Sequence, residues 1–531
     1  MLFNSYSFVF IFLPVALVGY DVAARFSQRW VVLWLGAVSL AFYGWRAPWL
    51  LAILLGSVGL NYGAAALIGA GAGGGLRRGF GPRFWLTAAI VVNLTVLGYY
   101  KYFAATARFL GGVFGLSGEW QAVALPLGIS FFTFTQIAYL VDLERGQARR
   151  HDLPSYLLFV TFFPHLIAGP ILHHREMMPQ FQRAARRLNL ADFTVGATWF
   201  VLGLGKKVLL ADTFAGTAFG VFGAQGRLSA GIAWEGALAY ALELYFDFSG
   251  YSDMALGLAR MFSIDFPLNF NSPYKSASAI EGWQRWHMTL GRYIFYYIYN
   301  PVTRLVRRYR LRQGKGVTRR ERANAATFVL VVAMPMMFTM FVAGIWHGAG
   351  AQFMVFGLLH GVFLSINNGW RQLRRGRLSF PRLTGETWGS RIIGRVGHVG
   401  SVGVTFLGAL VSLVFFRSES VGQAVSVLAG MVGMHGAGAA GTVSALATIS
   451  MRRAAVEIAA GMSIVWFLPN TQQILARFRP SLQKTAWEDG GSTDGALRWM
   501  PTAGWAVGVG VVLFVVLVQL EAPSTFLYFQ F

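Results

Sequence analysis

The sequence predicts an all-α polytopic membrane protein, and three observations carry that prediction: composition, the length of the apolar runs, and the placement of charge. Hydrophobic residues make up 55% of the 531-residue chain and charged residues 13%, against about 25% charged in an ordinary soluble domain. A soluble chain of this length needs a polar coat that these residues cannot supply, so lipid must cover much of the surface. A membrane helix takes about 20 mainly apolar residues. Such runs lie near 5–21, 30–45, 48–69, 84–103, 121–142, 192–211, 229–247, 326–346, 351–368, 399–417, 454–469 and 502–520. Shorter pieces near 155–172, 250–263 and 293–302 read as re-entrant or interfacial helices, which need cover from protein or a water-filled cavity. The pattern predicts roughly ten to thirteen spans in one integral membrane domain, 1–531, with no internal repeat and no soluble domain.

The net charge of +23 (45 basic minus 22 acidic) sits in short runs between apolar segments. That is the positive-inside pattern of cytoplasmic loops, not a nucleic-acid-binding face. Arg77, Arg78 and Arg83 form one cluster, and Arg145, Arg149 and Arg150 another. The runs 183–187, 307–322 and 371–377 and the pair Arg452–Arg453 complete the set. Met1–Tyr20 lacks a basic leader and a small-x-small cleavage site, so it reads as the first span rather than a signal peptide. Arg25 and Arg29 behind it place the N-terminus outside by the same charge rule. The absence of cysteine removes disulfides, thiolate metal sites and a cysteine nucleophile together.

Ionisable groups at membrane depth are costly and mark polar interiors. Three strings stand out. In Tyr245-Phe-Asp247-Phe-Ser-Gly-Tyr-Ser-Asp253, preceded by Glu243, the carboxylates either orient neighbouring groups or belong to an ordinary helix end, with a serine capping the next helix. In Trp283-Gln-Arg285-Trp286-His287-Met-Thr-Leu290, a chemical role for His287 competes with an interfacial belt of Trp and Arg. His347, in Gly344-Ile-Trp346-His347-Gly-Ala-Gly350, ends an otherwise apolar span, and a buried imidazole needs a hydrogen-bond partner whether its role is structural or chemical. His360 lies 13 residues further on (360 − 347), about 220° around an unbroken helix. The two share a cavity only if the chain breaks at Gly348 or Gly350. His165, His173 and His174 read as interfacial, and His173-His174 is a poor metal pair because sequence neighbours diverge on a helix. His151, His398 and His435 carry no signal. No metalloprotease, phosphate-loop, nucleophile-elbow or dinucleotide fingerprint occurs in a credible context.

These strings carry a resemblance. Pro126-Leu-Gly-Ile-Ser-Phe-Phe-Thr-Phe134, Phe162-Phe-Pro-His-Leu-Ile-Ala-Gly-Pro170, Phe246-Asp-Phe-Ser-Gly-Tyr-Ser-Asp253, Phe270-Asn271-Ser-Pro-Tyr-Lys275, Trp286-His-Met-Thr-Leu290 and Trp346-His-Gly-Ala-Gly350 run in order through 126–368, with Phe526-Leu-Tyr-Phe-Gln-Phe531 as weaker support. Together they resemble the membrane-bound O-acyltransferase superfamily, in its bacterial alginate O-acetyltransferase-like branch, alongside the proteins that transfer D-alanine to teichoic acids. The resemblance implies a ring of tilted and re-entrant helices around a central tunnel. His347 corresponds in it to the catalytic histidine and His287 to the second site histidine. Trp346, Trp286, Asp247, Asp253, Asn271, Arg285 and His360 are the candidates to line or orient the site. It also implies a cytoplasmic thioester donor such as acetyl-CoA in the bacterial inner membrane, no bound cofactor or metal, and an extracytoplasmic polysaccharide acceptor or a periplasmic SGNH-type acetyltransferase as relay. The chain departs from the alginate pattern at Gln284, Phe295-Tyr296, Thr303-Arg304 and Ala351-Gln352. None of these removes a histidine, but they leave the glycan unspecified.

Acyl transfer from a thioester needs a base for the incoming hydroxyl and stabilisation of the oxyanion, and histidine is the side chain that titrates near neutrality. The expectation is that His347 takes the hydroxyl proton while His287 orients it or donates to the thioester carbonyl, with Asp247 or Asp253 behind an imidazole. A covalent acyl-histidine is the alternative route. D-alanyl or longer-chain transfer is the nearest rival activity. A transporter would instead show broken helices in corresponding halves, and a secretion scaffold has no need of two histidines at membrane depth.

Overall fold

In a computed structural model of the chain, residues 1–45, 47–72, 80–115, 124–183, 187–224, 226–316, 324–377, 388–436, 445–478, 481–482, 497–520 and 526–527 are described. Arg77, Arg78, Arg186, the run 319–322 and the terminal 528–531 lie outside the described residues. The described elements are helices, with no β-strand among them. Six are long and apolar enough to cross a membrane: Phe8–Phe26, Leu50–Ala70, Pro82–Phe114, Leu190–Phe222, Ala325–His347 and Gly394–Arg417. Other segments in the expected set form helices that are shorter or carry charge. Gln28–Gly44 and Ala503–Gln519 have 17 residues each, and Ile129–Glu144 has 16. Ala230–Met261 has the length but contains Glu235, Glu243, Asp247, Asp253 and Arg260. The chain is a multi-pass, all-helical membrane protein.

Contacts divide the chain into two compact units: Met1–Leu209, Asp247–Leu268 and Thr471–Gln530 in the first, and Leu210–Phe246, Asn269–Asn470 and Phe531 in the second. In the first unit, polar side chains inside apolar helices satisfy one another, as a lipid environment demands. The Asn61 and Asn93 amides exchange bonds of 3.1 and 2.8 Å. Gln136 Nε2 donates to Ser57 Oγ at 2.9 Å, and Gln136 Oε1 accepts from the Tyr156 hydroxyl at 3.1 Å.

A glycine of the first unit shows how two of the strings quoted above meet. Gly128 has φ +74°, and a Cβ there would lie 2.5 Å from the Leu166 carbonyl oxygen; this is how Pro126–Phe134 meets Phe162–Pro170. Helix Leu190–Gly205 crosses the end of Ala230–Met261 antiparallel. Gly196 faces the Gly257 carbonyl and Gly203 the Gly250 carbonyl, with a Cβ on either reaching 2.6–2.7 Å. Small residues at a membrane helix crossing let backbones approach closely. Beside the crossing lie two ion pairs, Lys206–Asp253 at 2.5 Å and Lys207–Asp247 at 2.6 Å. Asp253 also accepts from the Thr471 hydroxyl at 2.8 Å, and Asp247 from the Leu527 N–H at 3.0 Å.

In the second unit, Met334–His347 and Ala351–Arg377 form a tight helical hairpin. A Cβ on Gly344 would lie 2.3 Å from the Phe353 carbonyl oxygen, and one on Gly357 2.3 Å from that of Met340. Gly348 is extended at φ −172°, so the helix stops at His347 and the next one folds back.

Candidate active site

Of the nine candidate residues, His347, His287, Trp346, Trp286, Asn271, Arg285 and His360 fall in the second unit, and Asp247 and Asp253 in the first. The break at Gly348 meets the condition under which His347 and His360 share surroundings. The ring of Phe356 lies 5.7 Å from that of His347 and 4.7 Å from that of His360. His347 is half-buried between Trp346, Phe356 and Phe416, whose ring centroids lie 4.7–5.7 Å away. His360 Nδ1 accepts a 3.2 Å bond from the Trp283 indole N–H. Helix Ala279–Arg285, just before His287, thereby rests on the helix after His347. Ile280 N–H adds a 3.4 Å bond to Asn367 Oδ1 in the same place.

His287 occupies the step between the seven-residue helices Ala279–Arg285 and Met288–Ile294, outside the long apolar helices. Its backbone is left-handed, φ 41°, ψ 53°, as is that of Ser272, φ 47°. A non-glycine residue pays about 1–3 kcal/mol for such a conformation, and residues of this kind cluster at functional sites. Asn269 holds His287 in place. Its Oδ1 lies 2.9 Å from His287 Nδ1 and accepts from the Thr289 hydroxyl at 2.8 Å, while its carbonyl accepts from Met288 N–H at 2.9 Å. An oxygen that already accepts requires Nδ1 to be the protonated nitrogen, so the lone pair of the neutral ring is on Nε2. Burial lowers the imidazole to about 3, keeping it neutral at pH 7.

The remaining candidates frame this step. Trp286 packs with Phe270, Tyr245 and Tyr274 at centroid distances of 5.1, 6.5 and 6.0 Å. Arg285 pairs with Glu281 at 2.8 Å, and its guanidinium reaches the Asn271 carbonyl at 3.4 Å. Asn271 N–H donates to the Arg285 carbonyl at 2.9 Å, and Asn470 Nδ2 reaches Asn271 Oδ1 at 3.1 Å.

Two features of His287 bear on its expected role. The group behind the His287 imidazole is the Asn269 amide, whereas Asp247 and Asp253 make their ion pairs with Lys207 and Lys206. A carboxylate on the preceding apolar helix was the more conspicuous signal; Asn269 differs from a loop asparagine only in its place one residue before Phe270-Asn271. A neutral His287 with its lone pair on Nε2 accepts hydrogen bonds there, which fits orienting a hydroxyl and not donating to a carbonyl. Sequence reasoning also missed Phe356 and Phe416, since buried phenylalanines look alike before the chain folds.

The hairpin glycines make a test. Gly357→Ala is expected to cost about 1–3 kcal/mol by overpacking, because its Cβ meets the Met340 carbonyl, and to lower activity by displacing His347. Thermal unfolding in detergent alongside a transfer assay checks both; an unshifted midpoint contradicts the packing argument.

Comparison with known proteins gives the family. The family model described as MBOAT, membrane-bound O-acyltransferase, matches residues 85–318. The chain is 34% identical to a peptidoglycan O-acetyltransferase of Helicobacter pylori, over 82% of this chain and 80% of that protein. It is 35% identical to a probable alginate O-acetylase of Pseudomonas aeruginosa, over 79% of this chain and 73% of that one. Similarity to a teichoic acid D-alanyltransferase of Streptococcus thermophilus is lower, 28% over 48% and 60%. The chain belongs to the membrane-bound O-acyltransferase family.

Proposed function

We propose that this protein is an O-acetyltransferase that moves an acetyl group from a cytoplasmic thioester, acetyl-CoA, to a hydroxyl of an envelope glycan or of a periplasmic relay protein. What supports the site assignment is that one unit contains both His347, at a helix end, and His287, held in a left-handed, tautomer-fixed conformation. His347 accepts the proton of the attacking hydroxyl; the new C–O bond forms as the C–S bond breaks, and the proton leaves with the thiolate as free thiol. His287 Nε2 orients the hydroxyl. The N-terminus is extracytoplasmic, the basic loops face the cytoplasm of a bacterial inner membrane, and their cations attract the anionic donor. The greater similarity to O-acetyltransferases than to D-alanyltransferases supports acetyl as the group moved. Mass spectrometry of envelope glycans from cells with and without the chain tests this reading. Loss of acetyl ester from one glycan names the acceptor, and identical glycans remove the proposal.

Asn269 supplies a second test. Asn269→Ala is expected to lower kcat about 10–100-fold, the range for losing the partner that orients an imidazole. Asn269→Asp keeps an acceptor and is expected to recover part of the rate. Its carboxylate favours the imidazolium and raises the His287 pKa, so the acidic limb of the pH–rate profile moves to higher pH. A purely structural asparagine would leave that limb where it is.

A further inference from the structure

Asp142, His173 and His174 belong to the first unit and are not among the residues assigned above, and the structure gathers them. Neighbouring side chains diverge by about 100° where both residues are helical, and that condition fails here. His173 is the extended residue, φ −106°, ψ 135°, that precedes helix His174–Phe181. The two imidazoles therefore lie side by side, centroids 4.4 Å apart. Asp142, in the last turn of Ile129–Glu144, aims Oδ2 between them, 2.9 Å from His173 Nε2 and 3.7 Å from His174 Nδ1. One ligand atom from each residue lies within 4.8 Å of the others.

We propose that Asp142, His173 and His174 form a binding site for a divalent transition-metal ion, fastening the end of helix Ile129–Glu144 to the start of helix His174–Phe181. Ligands about 2.0–2.2 Å from a tetrahedral zinc ion are about 3.3–3.5 Å from one another. The two distances to Asp142 Oδ2 bracket that separation, so those contacts close with shifts of a few tenths of an ångström, and the two imidazoles, whose ligand atoms lie within 4.8 Å of each other, close the rest by turning about their side-chain bonds. Two imidazoles and one carboxylate are a donor set for Zn²⁺ or Fe²⁺ that leaves coordination positions open. The surroundings hold the ligands in place. Gln147 and Ala148 N–H groups donate to the Asp142 carbonyl at 2.8 and 3.1 Å. The Tyr139 ring stands against His174 at 5.6 Å, and the neighbouring cation, Arg175, is turned to Gln147 Oε1 at 2.9 Å. Asp142 and His174 side chains are each 4% exposed and that of His173 is 22% exposed, so the ion enters past His173. Without metal, Arg175 N–H donates to His173 Nδ1 at 3.3 Å, which places the ring proton on Nε2. Loading moves that proton to Nδ1 and gives up this one long bond.

The test uses the full chain purified in detergent, stripped with chelator and titrated with zinc chloride by calorimetry, with thermal unfolding measured in parallel. Wild type is expected to bind one Zn²⁺ per chain and to unfold at a higher temperature with the ion than without it. His173→Gln and Asp142→Asn are each expected to weaken binding more than 100-fold, beyond the 10–100-fold loss of an outer-shell partner, and to abolish the zinc-dependent rise. If Asp142→Asn fails to fold, His173→Gln at the exposed edge carries the comparison, its zinc-free midpoint matching wild type. No saturable binding by wild type below millimolar zinc overturns the site, as does unchanged binding in the folded variants.

Discussion

His347→Ala is expected to lower acyl transfer by about 10²–10⁴-fold, the usual contribution of a general acid–base group, while the protein still folds and inserts. The imidazole is half-buried among Trp346, Phe356 and Phe416, and its helix is held by the Gly344–Gly357 hairpin rather than by the histidine ring. The measurement is acetyl ester on the glycan, with wild type and variant matched for membrane level and unfolding midpoint. His347→Gln, closer in volume, is expected to be as inactive as Ala, because the lost property is a proton acceptor and not bulk. Wild-type acetylation by either variant would sink the assignment. An inactive variant with a collapsed midpoint would point to packing instead. Loss of activity at a normal midpoint supports the base.

The second large effect is on stability. Asp247→Ala removes one member of a buried pair whose side chains are 2% and 4% exposed, and breaking such a pair from one side costs about 3–5 kcal/mol. It also removes the acceptor of the Leu527 N–H, tying the loss to the C-terminal residues of the same unit. The expected result is a much lower unfolding midpoint in detergent and less folded protein in membranes. The double change Lys207→Met with Asp247→Leu replaces both charges by apolar groups and is expected to regain much of the loss. A single variant as stable as wild type would mean that the pair holds nothing. If the folded double variant still acetylates, Asp247 is scaffold and not site.

The contrast between Asp247 and Asn269 shows where sequence reasoning ran out. A carboxylate in an apolar helix is visible in one dimension because its desolvation cost demands an explanation. Which group explains it is a matter of three-dimensional neighbours, and here Lys206 and Lys207 meet the carboxylates across the Gly203–Gly250 crossing. Asn269 carries no charge and sits in a short connection, so nothing in its pattern separates it from a turn residue. His173-His174 marks a related limit: the divergence rule holds inside a helix, and the extended backbone of His173 sets the two rings side by side. His347 and His287 were legible because an ionisable ring amid apolar residues is rare, and because the strings around them resemble a family.

By itself the sequence determined that this chain is a helical membrane protein, since 55% hydrophobic and 13% charged residues leave no soluble alternative. The order of its strings pointed to the family, and the absence of cysteine removed thiolate chemistry. The tertiary structure decided which tautomer His287 holds, that the break at Gly348 lets His347 and His360 both contact Phe356, and that Asp247 and Asp253 make ion pairs. The physical reason is one of range. Burial preference and helix length are summed locally along the chain, whereas a hydrogen-bond partner or a ligand set is fixed by residues brought together through packing.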